Sequence, residues 1–394
     1  MAQAFNRRQC LLGAAALASP FYLALAATAP DTHPDDPRFV FVLLRGGMDG
    51  LAAVPAIGDP DFAAARGPLA NFGTPPLALE GTAFALHPAL GILHGLYRSG
   101  ELAVVHATGL AYRERSHFDA QQVLESGGSK PYELASGWLG RALAAHGNRA
   151  GLALTTAVPL VLRGSERIDT WAPSALPEPS PDLVARLEVL YAGDTALAQA
   201  LARAKALREQ PGMTEGPGNA GGRAAAVALA RKCGEVLGAA QGPRVAVLEM
   251  GGWDTHANQA APAGALASNL RTLDGALASL RESLAGVAWS RTVVVVATEF
   301  GREVAVNGTQ GTDHGTGGAA FVLGGAVRGG RVLTDWPGLA RAQRFEGRDL
   351  RVTTDLRAVL KGVLADHLRL PTAVIEQTVF PASSSVPALA LLRA

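Results

Sequence analysis

Apolar runs divide the chain into alternating short and long blocks. Phe39 to Leu44, Leu102 to Ala107, Arg244 to Met250, Thr292 to Ala297 and Ala319 to Leu323 are short, nearly continuous and rich in β-branched residues. That is the pattern of strands buried on both faces. Leu152 to Leu162 also reads as β structure. Helical spacing occupies the longer blocks: His87 to Leu96 with Pro88 in its first turn, Ser116 to Glu125, Ser180 to Arg208, Ala224 to Gln241, Leu266 to Leu284 and Asp355 to His367. Ser116, with Asp119 three positions on, forms a helix-start signature. Leu51 to Gly67, the Pro75-Pro76 region and the Gly/Pro-rich stretch Gln210 to Gly222 read as irregular structure. Strands alternating with helices of this length predict an α/β fold. Its sheet is expected to be doubly wound, mostly parallel and flanked by helices, with a mainly helical insertion at about 160–240.

The first residues break this pattern. Arg7-Arg8 precedes the apolar run Leu11 to Ala18, which Phe21 to Ala27 extends past Ser19-Pro20, and Ala-x-Ala cleavage patterns follow. Paired arginines before a modestly apolar segment resemble a twin-arginine export signal. Residues 1–29 are therefore expected to be a leader, read by the twin-arginine translocase. A periplasmic or extracellular protein follows from it, with one α/β domain over 38–394.

Composition narrows the function classes. Of 394 residues 48% are hydrophobic, enough for a large core, and the formal net charge is only +1 with both signs dispersed. No basic footprint for nucleic acid is present. The two cysteines are Cys10, inside the leader, and Cys233, so the exported chain has no intramolecular disulfide and no multi-cysteine metal site. Nor is there a P-loop, a G-x-S-x-G elbow or a dinucleotide fingerprint.

Chemistry gathers where three strands end. Phe39–Leu44 leads into Arg45-Gly46-Gly47-Met48-Asp49-Gly50, Arg244–Met250 into Gly251-Gly252-Trp253-Asp254-Thr255-His256, and Thr292–Ala297 into Thr298-Glu299-Phe300-Gly301-Arg302. The glycine-rich Gly311-Thr312-Asp313-His314-Gly315 follows. Open α/β sheets bind ligands at the carboxyl ends of their strands. Asp49 there reads as a metal ligand or as an ordinary glycine-turn aspartate. Asp254 and His256, two apart on an extended segment, point to one side and can share an ion. Glu299 reads as a ligand or as the ion-pair partner of Arg302, whose guanidinium can also clamp an oxyanion. Asp313 and His314 sit where packing gives an imidazole little purpose, and His314 is the foremost candidate ligand. Ser116 reads as a nucleophile at a helix start or as a plain N-cap. His117 beside it is a ligand, a base or a brace.

Taken in order, these motifs resemble the bacterial secreted proteins of the domain-of-unknown-function 1501 family. The likeness covers nearly the whole chain after the leader. That family is similar in outline to the alkaline phosphatase/sulfatase superfamily, and the resemblance implies an alkaline-phosphatase-like fold. It implies also a sheet-edge site with an early Asp, a nucleophile at a helix start, Asp and His pairs and a late His. Asp49, Ser116, Asp254 with His256, Glu299 and His314 fall in that order. Two departures stand out: Asp254-x-His256 replaces Asp-x-x-x-His, with Asn258 at the expected imidazole position, and Glu299-Phe300 replaces an Asp-His pair. The resemblance thus implies an exported, metal-dependent hydrolase acting on a small-molecule or polysaccharide phosphate or sulfate ester, or a noncatalytic periplasmic or cell-surface binding or accessory protein that retains the fold. Ser116, His117 and Arg302 would be catalytic. Asp49, Asp254, His256, Glu299, Asp313 and His314 would supply ligands to a divalent Zn, Mn, Mg, Ca or Fe.

Overall fold

The computed structural model describes residues 36–147, 149–173, 179–208, 222–259, 263–284 and 286–393. The expected leader lies outside them. Among the described residues eleven strands form: β1 (Arg38–Leu44), β2 (Leu77–Ala78), β3 (Ala85–Leu86), β4 (Leu102–Gly109), β5 (Gly151–Ala153), β6 (Ile168–Thr170), β7 (Val245–Met250), β8 (Thr292–Thr298), β9 (Gly318–Leu323), β10 (Arg331–Leu333) and β11 (Thr354–Asp355). β2 and β3 pair apart from the rest, and the other nine make one sheet in the order β10-β4-β9-β8-β1-β7-β5-β6, with β11 also on β4. Every pairing in it is parallel except those of β9, which runs antiparallel to β4 and β8. This is a mixed, mostly parallel α/β sheet flanked by helices, as the alternation predicts.

Both faces of the sheet are buried. In β1, Val40, Val42 and Leu44 enter one core while Phe39, Phe41 and Leu43 enter the other, the period-two alternation of a central strand. The first core is closed by α1 (Gly50–Ala53), α2 (Gly91–Arg98) and two later helices, α7 (Gly222–Gly238) and α8 (Ala265–Ser283). On the other face lie α3 (His117–Ser126), α4 (Trp138–Ala145) and α9 (Leu356–Asp366). Trp138 fills that second core, its ring 5.2 Å edge-on from Phe41. Burying a Phe, Val or Leu contributes roughly 1.5–3 kcal/mol, so these two interlocked layers hold the sheet edge rigid beneath the loops.

The described residues between 160 and 240 are mainly helical, with α5 (Pro181–Tyr191), α6 (Thr195–Arg208) and α7. β6 nevertheless joins the sheet, and α7 packs its Cys233, Val236 and Leu237 into the core. α5 has no buried residue.

Local departures from the sequence reading have local causes. The stretch 152–162 holds a strand only to Ala153, and Leu160–Leu162 is a 3₁₀ turn after Pro159. Continuous apolar residues do not distinguish the two. The single helix expected over 180–208 is broken at Gly193, where Asp194 Oδ1 accepts from the Ala196 and Leu197 amides at 3.0 and 3.1 Å and restarts it. The segment 51–67 contains α1 and a further turn of helix, Phe62–Arg66. No helix among the described residues is long and apolar enough to cross a membrane.

Candidate metal centre

The register of the central strands sets the site. Leu44 of β1 stands beside Met250 of β7 and Thr298 of β8. The loops carrying Asp49, Asp254 and Glu299 therefore leave one edge side by side. Because β9 is antiparallel, the chain after Glu299 returns to that same edge at Gly318 and delivers Asp313 and His314 there. β4 reaches the edge at Gly109, and α3 begins a few residues later.

Close loop packing requires small residues. Gly46 has φ +122°, and a Cβ on it would lie 2.5 Å from the Asp254 amide nitrogen. A Cβ on Gly301 would lie 1.8 Å from the Gly317 carbonyl oxygen. Only glycine lets backbone approach backbone so closely. Thr298 fastens the first loop by donating its hydroxyl to the Leu44 carbonyl at 2.8 Å and accepting from the Met48 amide at 3.0 Å.

Three imidazoles converge above this edge. His314 Nε2 lies 3.0 Å from His117 Nε2 and 2.9 Å from His256 Nε2. Asp254 Oδ1 lies 3.0 Å from His256 Nε2, 3.2 Å from His314 Nε2 and 3.4 Å from His117 Nε2. Ligand atoms of His117, Asp254 and His314 all fall within 4.8 Å of one another, a group able to hold a metal ion.

The opposite ring nitrogens are each engaged. His117 Nδ1 is 2.7 Å from Glu299 Oε1, His256 Nδ1 is 3.0 Å from Asp313 Oδ1, and His314 Nδ1 is 2.9 Å from the Arg115 carbonyl oxygen. All three acceptors take a proton from Nδ1, which leaves the Nε2 lone pairs facing one another. Such outer carboxylates and carbonyls fix metal-ligating histidines. Facing lone pairs repel unless a cation or a proton lies among them, so the donor set fits a divalent ion of the Zn, Mn or Fe type.

Electrostatics agree with a place for positive charge. The hydrogen bond to Glu299, with that carboxylate's field and Asp254's, raises the His117 pKa against the opposing effect of burial. Burial tends to raise Glu299, but bonds from His117, Gln121, its own backbone and the Gly46 amide outweigh it and hold the carboxylate below its ordinary value. Asp254 is lowered despite burial, mainly by Arg302. Burial and the neighbouring His117 lower His314.

Several expected ligands lie outside this inner group. Asp49 is 1% exposed and forms a buried ion pair with Arg66. Its Oδ1 also accepts from the Ala52 amide at 3.1 Å, capping α1, and its Oδ2 from Gln259. Both of its oxygens are thus engaged by donors within the fold. Glu299 and Asp313 meet the Nδ1 atoms of His117 and His256. His117, read from the sequence as a ligand, a base or a brace, points Nε2 toward His314 and Asp254.

Arg302 spans the site floor. Its Nη1 donates to Asp254 Oδ1 at 2.8 Å and its Nε to Thr312 Oγ1 at 3.3 Å. Its buried Nη2 finds no partner among the described residues. Ser116 is the N-cap of α3 by backbone geometry, yet its hydroxyl makes no capping bond and meets the Tyr112 phenol. Phe300 stands where the resemblance placed an imidazole, and its ring packs 4.7 Å from His117 and 5.1 Å from His314.

Other contributors escaped the sequence reading. Gln121 donates to Glu299 at 3.0 Å. It lies one helical turn from His117, so an i, i+4 search from that histidine would have found it. Gln259 accepts from the Thr255 and Thr312 hydroxyls at 2.9 and 2.7 Å while donating to Asp49. Asn307 donates to the His256 carbonyl and to Asp313. Neither carries a local sequence signal.

A family model described as "Protein of unknown function (DUF1501)" matches residues 104–379, and the chain belongs to that family. A search of curated proteins gives no match. Among solved structures the chain is similar to Ps i-CgsB in complex with k-i-k-neocarrahexaose, at 10% identity and TM-score 0.39, over 76% of this chain and 68% of that one. It is similar also to the C-terminal periplasmic domain of EcEptC from Escherichia coli in complex with Zn, at 12% identity and TM-score 0.37, over 73% of each chain. The phosphonate monoester hydrolase of Agrobacterium radiobacter aligns at 12% identity and TM-score 0.35, over 75% of this chain and 70% of that one. At identities and scores this low, none of their chemistry carries to this chain.

Proposed function

We propose that the protein is an exported, metal-dependent hydrolase of phosphate or sulfate esters. One observation carries the reading: three imidazole Nε2 atoms and Asp254 Oδ1 face a common point, while each Nδ1 is held from behind. His117, His256, His314 and Asp254 would hold one divalent ion there. A bound ion would polarise the ester and lower the pKa of a coordinated hydroxyl or water. Export is proposed on the Arg7-Arg8 leader, and the ester class on the order of Asp49, Ser116, Asp254, Glu299 and His314 along the chain.

The residues divide the work. Ser116, preceding His117 at the start of α3, offers a hydroxyl that the helix does not use as a cap. Arg302 orients Asp254 through Nη1, and its unpartnered Nη2 is a donor that an ester oxyanion would satisfy. Glu299 and Asp313 hold the imidazole tautomers.

A noncatalytic binding protein is the second reading. Phe300 favours it, because it puts an apolar ring where the resemblance calls for a second imidazole site. Metal analysis of the purified exported chain, with hydrolysis of aryl phosphates and aryl sulfates, separates the two. The enzyme reading expects one metal per chain and ester hydrolysis that His314→Ala abolishes. A metal-free protein, indifferent to His314→Ala, would end it. Hydrolysis surviving Ser116→Ala would make water the nucleophile and Ser116 a helix cap.

A further inference from the structure

Arg115 is a non-glycine residue with φ +61°, two positions before the inward-facing His117. A side chain in that left-handed region costs conformational energy and persists only where its surroundings impose it. The surroundings are identifiable. Arg115 Nε donates to Asp349 Oδ2 at 2.8 Å, and Asp349 is fully buried. The second guanidinium contact is to Glu346, which is more than half exposed. Thus fixed, Arg115 aims its carbonyl at His314 Nδ1, 2.9 Å away.

Asp349 also touches the other side of the site. It bridges the backbone of Glu303, whose amide bonds to the Asp313 carbonyl at 2.8 Å, while Arg302 bridges His314. The Phe345 amide is 2.9 Å from the Asp349 carbonyl, and Arg348 Nη1 is 3.2 Å from Asp349 Oδ1. Asp349 therefore holds the segment before His117 through its carboxylate and meets the segment beside His314 through its backbone. Those two imidazoles come from positions 117 and 314, and Asp349 is the buried charge between their supports.

We infer that Asp349 is a positioning residue for the metal centre, which sets the His314 tautomer through the strained Arg115 carbonyl. The inference rests on the metal-site reading above and assigns part of its affinity to a residue that touches no ligand directly. Loss of the brace frees Arg115 to relax toward negative φ. Its carbonyl then leaves His314 Nδ1, and the imidazole can turn or take the other tautomer, with a proton on Nε2.

Co(II) titration of the whole exported chain, read by its visible absorption, tests this with metal alone as the probe. Outer partners of metal ligands typically contribute about 10–100-fold to affinity. Asp349→Asn is expected to weaken Co(II) binding by about that factor and to alter the absorption band, with Asp349→Glu restoring part of it. Glu346→Gln, which removes only the exposed contact, is expected to leave both unchanged. Arg115→Ala breaks the same link without emptying the buried carboxylate's site, and it decides the matter if Asp349→Asn does not fold. An Asp349→Asn protein that is less heat-stable when metal-free but binds Co(II) with wild-type affinity and spectrum would reduce Asp349 to a structural residue. A wild-type protein that binds no Co(II) would instead remove the metal-site reading itself.

Discussion

Two groups of histidines in this protein differ in what their nitrogens face. His106 is fully buried, with Nε2 2.9 Å from the Val54 carbonyl and Nδ1 accepting from the Ala107 amide at 2.8 Å. His367 donates to the Arg38 carbonyl, and His87 Nδ1 accepts from the Ala89 amide. Burial pushes all three down to about 4, with Arg271 helping at His87. They are neutral core residues whose polar atoms meet backbone. At the sheet edge, His117, His256 and His314 turn one nitrogen to an outer acceptor and aim the other at each other. Burial makes an imidazole neutral, whereas convergence of lone pairs makes a place for a cation.

Removing His314 should have the largest effect on that contrast. His314→Ala is expected to weaken Zn(II) binding at least about a hundredfold, since a direct ligand is worth more than an outer partner; competition against a chelator of known affinity would show it. His106→Ala should leave metal affinity unchanged and lower stability instead. If both substitutions weakened binding equally, the contrast between the groups would collapse.

Acid should strike the core group. The three buried imidazoles titrate at about 4 when folded and at about 6.5 when unfolded. Below that upper value the unfolded chain takes up protons first, so stability is full above it, falls as pH drops toward about 4, and then levels. The expected loss is about 3 kcal/mol for each fully shifted group, measured by urea unfolding of metal-free protein between neutral pH and pH about 4. His106→Gln should flatten part of the slope.

Smaller effects follow at the outer carboxylates. Glu299→Gln is expected to cost about 10–100-fold in metal affinity, and in metal-free protein to lower the raised His117 titration seen by NMR. Asp313→Asn should cost less, about threefold, because Asp313 is half exposed and water screens its bond to His256. An Asp313→Asn loss larger than that of Glu299→Gln would reverse the assignment of these two partners.

Much of this was readable from the chain. Five apolar runs mark β1, β4, β7, β8 and β9, and the acids, imidazoles and glycines after three of them locate the edge where the histidines converge. Asp254 and His256, two apart in sequence, lie with Oδ1 3.0 Å from Nε2. Roles were harder, because they depend on partners far away in sequence. Arg66 claims Asp49 through packing alone, and no periodicity announces the pair. Whether His117 braces a helix or faces an ion depends on Glu299, 182 residues distant. The turn at Leu160–Leu162 is not distinguished from a strand by sequence, because an apolar run has the same composition in a strand or a tight helix.

The reversed direction of β9 has a consequence for how the site assembles. β8 and β9 meet through a single connecting loop, so Glu299, Arg302, Asp313 and His314 are gathered by one local closure. β1 must instead find β7 across about two hundred residues, and Asp254 arrives only with that pairing. Short closures lose less chain entropy than long ones and form sooner. The β8–β9 loop is therefore expected to take shape early and wait half-furnished, with the cluster of imidazoles and Asp254 completed last by the slow, distant strands.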